Sequence, residues 1–242
     1  MRRPVGDCQM LVAIGGVRYL PDKPDEPEEP EGLLTALTTE HFTLQGARSA
    51  TTSESSARTA LYLGAVSSVL ISIGFVSGDS ALLPVFTLVV LPTVFLLGIA
   101  TFVRLVELGV EDFIYGRAIN RIRAHYRQLA GPYARLFLLR GNDDALGVMR
   151  NMGLRRAGPL QLLFTFATAI AVVNSVIGGA AVATLVRVMG VSLGAAVAVG
   201  GLFAVLVFGM HLRHQLNRQN RSSGLDEVLF PSEGNDDSST QP

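Results

Sequence analysis

Four uncharged runs divide the chain: residues 59–77, 81–103, 157–186 and 188–210, of 19, 23, 30 and 23 residues. A helix rises ~1.5 Å per residue, so crossing a hydrocarbon core of ~30 Å takes about 20 residues. Each run is apolar around the whole circumference of a helix rather than along one stripe. A soluble chain of 242 residues has no core large enough to hide four such helices. The pattern therefore predicts four transmembrane helices. They lie at 59–77, 81–103, 161–183 and 190–210, the third run being longer than one crossing. They form two hairpins, 59–103 and 157–210. The fold class is all-α: a polytopic membrane protein with a helical loop between helices 2 and 3.

The polar segments carry patterns of their own. Residues 1–37 hold PDKPDEPEEPE at 21–31, a proline-rich acidic tract that favours extended, solvated chain over a packed core, so this stretch reads as a disordered tail. Its weakly apolar patch at 10–16 is too short for a signal peptide and lacks a cleavage pattern. Residues 38–58 read as a juxtamembrane helix capped by Thr39, with Glu40 in its first turn, continuing into the first span. In the 104–156 segment, Tyr115, Ile119, Ile122, Tyr126 and Leu129 recur at helical spacing, with Arg117, Arg121, Arg123 and Arg127 on other faces. That spacing predicts a helical extension of the second span, bent near Gly109 and ended by Gly131-Pro132. A short helix over 133–140 follows, then a third capped by Asn142 or Asp143. Residues 211–242 continue the fourth helix as HLRHQLNRQNR and then become a polar, mostly disordered tail. In that tail only LDEVLF, 225–230, has the composition of a docking segment.

Composition agrees with a membrane chain: 49% of residues are apolar and 17% charged, against about 25% charged in soluble domains. Twenty basic residues balance twenty acidic ones, so no bulk field favours nucleic acid. The single cysteine, Cys8, excludes an internal disulfide and any multi-cysteine metal site. Arginine placement sets orientation. Ten lie in 104–156, none in the turn at 78–80, and only Arg187 near the second turn. Arg48 and Arg58 precede the first span; Arg213, Arg218 and Arg221 follow the last. Arginine-rich flanks stay inside, which predicts a multi-pass protein of the cell's inner (plasma) membrane with both termini and the central loop cytoplasmic.

Lipid supplies little drive for helix association, so contact depends on small residues that let backbones approach. Ridges repeat every fourth residue at Ala60, Gly64, Ser68 and Ser72; at Ala167, Ala171, Ser175, Gly179 and Ala183; and at Ser192, Ala196, Gly200 and Ala204. The second span has Pro84 and Pro92 and no such ridge. No span interior carries an ionisable group, and its most polar side chain is Asn174. An amide there faces protein, reaching a Ser or Thr of a neighbouring span, or lines a polar path. The structural or pore-lining candidates are thus Asn174, Ser175, Gly179, Gly64, Ser68 and Gly200. No catalytic residue, cofactor or metal site is assigned: nucleotide-loop and zinc-protease motifs are absent, and His211 and His214 make only a two-ligand pair.

The stretches TTEHFTLQGARSATTSESSARTALYLGAVSSVLISIGFV, VEDFIYGRAINRIRAHY and NSVIGG, within residues 38–216, resemble a group of uncharacterised bacterial, mostly actinobacterial, four-span membrane proteins. That resemblance implies no assigned activity. The long helix joined to paired spans is also similar, in architecture only, to SLATT-type membrane effectors, which have two spans. Three readings follow. The first is a non-enzymatic, oligomeric scaffold or signal-responsive effector, with the lipid bilayer and a cytoplasmic protein as partners. The second is an oligomeric channel or small transporter, with Thr168 among its lining residues. The third is an interfacial enzyme built on Glu107, Glu111, Asp112, Arg117, Arg121 and His125.

Overall fold

The structure, a computed structural model, describes residues 31–153, 165–223 and 227–232. The tail before residue 31, the expected start of the third span at 161–164, and the last ten residues lie outside the described residues. Among the described residues the chain is helical and contains no strand. Its elements are α1 (Leu33–Val76), α2 (Leu82–Ala130), a 3-10 turn (Gly131–Leu136), α3 (Ala145–Asn151), α4 (Phe166–Val188) and α5 (Leu193–Ser223). Four of these helices, all but α3, are long and apolar enough to cross a membrane.

α1 has 44 residues and α2 has 49, so they measure about 66 and 74 Å. Roughly half of each exceeds a bilayer's needs and projects as a polar, two-helix head. The expected cap at Thr39 is not the start of α1. The helix begins at Leu33 after a left-handed Gly32 (φ 87°), and the Thr39 hydroxyl donates back to the Thr35 carbonyl at 3.0 Å, as Thr38 and Thr43 do to theirs. A hydroxyl satisfied by its own helix no longer needs a capping position. α2 runs as one helix through Pro92 and Gly109, the helical extension of the second span that the spacing predicts. Residues 133–140 are not an α-helix: the 3-10 turn ends at Leu136 and the chain then extends. Arg187 belongs to the last turn of α4, and the reversal is made by Met189 and Gly190 (φ 90°).

α2 is the hub. It packs against α1 on one side and α4 on another, while α5 packs chiefly on α4. The core comprises Tyr62 of α1, Val94, Phe102, Leu105, Val106 and Leu108 of α2, and Ala167, Ile170 and Ala171 of α4. The outer faces, including Leu70, Phe75, Leu96, Val176, Leu202 and Val205, are exposed on the isolated chain, as surfaces solvated by lipid tails are.

The small-residue ridges divide into two kinds. Gly179 and Gly200 meet backbone to backbone: a Cβ on Gly179 would lie 2.7 Å from the Gly200 carbonyl oxygen, and one on Gly200 would lie 2.4 Å from that of Gly179. The ridge of α1 faces away from the rest of the chain. Ala60, Gly64 and Ser68 are exposed, and nothing lies within 4 Å of a Cβ on Gly64. The close approach predicts an asymmetry. Gly200→Ala and Gly179→Leu should each cost about 1–3 kcal/mol through overpacking and lower the thermal midpoint in detergent. Gly64→Leu should leave the midpoint of the isolated chain unchanged. Equal effects at all three positions would contradict this packing.

Candidate functional site: the head and its docked C-terminal segment

In the head, α2 presents Arg117, Asn120, Arg121 and Ala124 at three- and four-residue spacing, which puts them on one face. The turn at 140–144 is laid on that face. A Cβ on Gly141 would lie 2.7 Å from the Cα of Ala124, so the turn touches the helix backbone there. Arg117 donates through Nε to the Asp143 carbonyl (2.8 Å), and Asn120 through Nδ2 to the Asn142 carbonyl (2.7 Å). Asn151 closes the far side. Its Nδ2 reaches Asn120 Oδ1 (2.9 Å) and the Arg140 carbonyl (2.8 Å), and its Oδ1 accepts from the Arg140 N–H (3.0 Å).

The two aspartates of this turn differ in role. Asp144, rather than Asn142 or Asp143, caps α3, its Oδ1 accepting from the Gly147 N–H at 2.9 Å. Asp143 is fully buried. Its carboxylate accepts from Arg121 Nε (2.5 Å), from the Phe230 N–H (2.8 Å) and from the Leu229 N–H (3.2 Å). Its own N–H donates to the Phe230 carbonyl (3.1 Å). Asn142 Nδ2 donates to the Pro231 carbonyl (2.9 Å), Arg121 Nη2 to the Glu227 carbonyl, and Ser232 Oγ to Asp144 Oδ1 (2.7 Å). Residues 227–232 are thus docked on the head, gripped chiefly through their main chain. Burial alone would push the pKa of the Asp143 carboxyl up. Donation from Arg121 and from the Phe230 and Leu229 amides outweighs burial and holds it below the usual aspartate range.

Closer to the spans, the acids of the interfacial-enzyme reading are engaged in ion pairs. Arg48 makes a two-pronged contact with Asp112 (2.9 and 3.2 Å). Arg104 holds Glu54 (3.1 Å) and Glu111 (2.9 Å), with Glu107 at 3.6 Å. The Arg48 and Arg104–Glu54 pairs tie α1 to α2, and Arg117 and Arg121 turn away toward Asp143, so the set does not converge on one point. His211 and His214 both lie against the ring of Phe102, at centroid distances of 4.4 and 6.1 Å, and His211 Nδ1 donates to the Val207 carbonyl. Among the described residues no group of three or more His, Cys, Asp or Glu side chains is gathered as for a metal.

At membrane depth Asn174 is fully buried and accepts, through Oδ1, from the Tyr62 hydroxyl at 3.0 Å. The partner on α1 is therefore a tyrosine and not the expected Ser or Thr. A Cβ on Gly98 of α2 would lie 2.0 Å from that Oδ1 and 2.7 Å from the Tyr62 oxygen, so the bond passes directly over a glycine. Ser175 donates to its own helix at the Ala171 carbonyl (2.6 Å), and Ser68 to the Gly64 carbonyl (3.0 Å) on the opposite, outward face. Within one chain, Asn174 and Ser175 do not share a path with Gly64 and Ser68. Thr168 instead bonds Gln215 of α5 (3.3 Å).

No protein-family model, curated protein or solved structure matches this chain. Sequence patterns missed Tyr62, Gly98, Asn120 and Asn151. Gly98 had a signal: a lone glycine inside an apolar helix costs about 1 kcal/mol relative to alanine, and a tight contact offsets that cost.

Removal of the Asp143 carboxylate should release the segment. Asp143→Ala should cut the exchange protection of the Leu229 and Phe230 amides by about a hundredfold, since hydrogen bonds to charged groups contribute ~1.5–3 kcal/mol each. Because the carboxyl is more acidic when docked, docking is at full strength above the usual aspartate value, about 3.9, and is lost only as pH falls through the lowered value. Protection corrected for intrinsic exchange should therefore be flat between about pH 5 and 8. A loss within that window would show that another group controls docking.

Proposed function

We propose that this chain is a non-enzymatic, signal-responsive protein of the inner membrane, with its head and both termini in the cytoplasm. Occupancy of the head by its C-terminal segment sets the arrangement of the spans. One observation carries the reading: α1 and α2 run unbroken from the head into the apolar segments and are tied together by Arg48–Asp112 and Arg104–Glu54. A continuous helix transmits rotation and tilt along its length, whereas a loop would absorb them. The pairing of the head's acids with arginines favours a mechanical role over a chemical one. The resemblance to four-span actinobacterial proteins and the architectural likeness to SLATT-type effectors belong to the same reading.

Oligomerisation fits the outward ridge of α1, where Ala60, Gly64 and Ser68 would let a second copy approach closely. The same face supports the second reading, a channel formed between copies, with Ser68 and Ser72 bordering its path.

The test uses the full chain in lipid nanodiscs with spin labels on the two short turns, at Gly78 and Met189. Releasing the segment by Asp143→Ala should shift the distance between these labels, and breaking the tie by Arg48→Ala should abolish the shift. Unchanged distances on release would sink the proposal. Orientation has its own check: a reporter fused after Pro242 should read cytoplasm, and one inserted at 78–79 should read the outside.

A further inference from the structure

The end of the head farthest from the spans carries apolar and cationic surface together. Tyr133, Leu136 and Leu138 are 66, 75 and 94% exposed. Ala130 lies 27 residues beyond Val103, the last residue of the second apolar run, or about 40 Å along α2, farther than lipid headgroups reach. Beside this surface is a cleft of about 630 Å³ lined by Arg127, Arg135, Phe137, Leu138, Arg140 and Phe230. Arg127 donates to the Phe137 carbonyl (2.9 Å), while the guanidinium groups of Arg135 and Arg140 have no hydrogen-bond or ion-pair partner among the described residues. Arg123, one turn behind Arg127, holds its proton less tightly than usual because of burial and the positive charges of Arg48 and Arg127. Nearer the spans Arg48, Arg58 and Arg104 each meet a carboxylate, whereas at this end Arg135 and Arg140 meet none among the described residues.

The anionic segment that matches begins beside it. Tyr126 of α2 donates to Thr38 Oγ1 of α1 at 3.2 Å, so the start of α1 at Leu33 lies at the same end of the head as Arg127. Immediately before it comes 21–31, PDKPDEPEEPE, with six carboxylates, four prolines and one lysine. Eleven residues in a proline-type extended conformation span about 34 Å, several times what the cleft requires. Prolines at every third position in that conformation present one face to an apolar and aromatic groove, and the carboxylates between them meet arginines.

We propose that this arginine and aromatic cleft is the docking site of the chain's own acidic, proline-rich tract, residues 21–31, which folds back onto the head beside the docked C-terminal segment. Arg135 and Arg140 supply the charge contacts, and Phe137, Leu138 and Phe230 the surface for the prolines.

The experiment uses the full chain in nanodiscs with Cys8→Ser and spin labels at Lys23→Cys and Gln128→Cys. A short, narrow distance should dominate. Arg135→Glu with Arg140→Glu should reduce that population about fivefold, as expected for a few exposed ion pairs turned repulsive. Salt at ~0.5 M should reduce it too. Placing Lys at Asp25, Glu26, Glu28 and Glu29 in the charge-reversed protein should restore it, which a misfolded head would not allow. A broad wild-type distribution, or one indifferent to the reversal, overturns the proposal. So does a short distance that disappears on dilution with unlabelled chain, since a second copy's tract would then be the occupant.

Discussion

Helices in lipid gain nothing from hiding apolar surface, because the tails around them are as apolar as the partner helix, so close backbone approach decides the arrangement of this chain. Two such approaches set the membrane part. Gly179 and Gly200 bring α4 and α5 into backbone contact, and Gly98 lets the Tyr62–Asn174 bond cross α2 from α1 to α4. The second adds a direct link between α1 and α4, which otherwise touch little, to the broad packing of α2 on α4 that joins the two hairpins. A buried amide that bonds across helices contributes only about 0.6 kcal/mol on average. Its larger effect is on register: any axial slip of α4 would leave the Asn174 oxygen without a donor in hydrocarbon.

The head is stabilised differently. Outside the apolar segments α1 and α2 have few large side chains to bury between them, and charge pairs take over. Exposed ion pairs contribute little singly, but Arg48–Asp112 is two-pronged and partly buried, and Arg104 bridges acids on both helices. These contacts fix how the two helices face each other as they leave the membrane. That orientation places Arg117, Asn120 and Arg121 where the 140–144 turn can lie on them.

The four crossings were legible because hydropathy over about 20 residues outweighs every local signal. Local start signals were less reliable. Thr39 looked like a cap, but threonines at 35, 38, 39 and 43 allow hydroxyls to bond back along the helix, and α1 simply continues to Gly32. The 133–140 stretch has helix-forming residues, but the turn must hug α2 at Ala124 to reach Asp143, and a 3-10 turn with extended chain does so where a full helix would not. The apolar LDEVLF stood out in a polar tail as a docking segment. Its receptor did not, because Arg117 and Arg121 read as a solvated helix face and their partners lie 22 to 106 residues away. Of the membrane candidates, Asn174 stood out as polar among apolar neighbours, whereas Tyr62 was masked by its place in an aromatic-tolerant helix and Gly98 by the absence of a repeat.

The docked segment also links two parts of the head that would otherwise be independent. The main chain of Phe230 satisfies Asp143, and Phe230 also lines the arginine cleft. Asp143 in turn holds Arg121, whose face of α2 also carries the turn that positions Arg140. Lifting residues 227–232 therefore strips two amide donors from a buried carboxylate and removes one wall of the cleft in the same motion. The carboxylate, left with Arg121 alone, gains solvent and negative potential at the cleft's edge. Both changes weaken binding of an acidic ligand there. Ligand binding at the cleft and docking of the C-terminal segment must accordingly favour each other, because whatever stabilises Phe230 in place stabilises both.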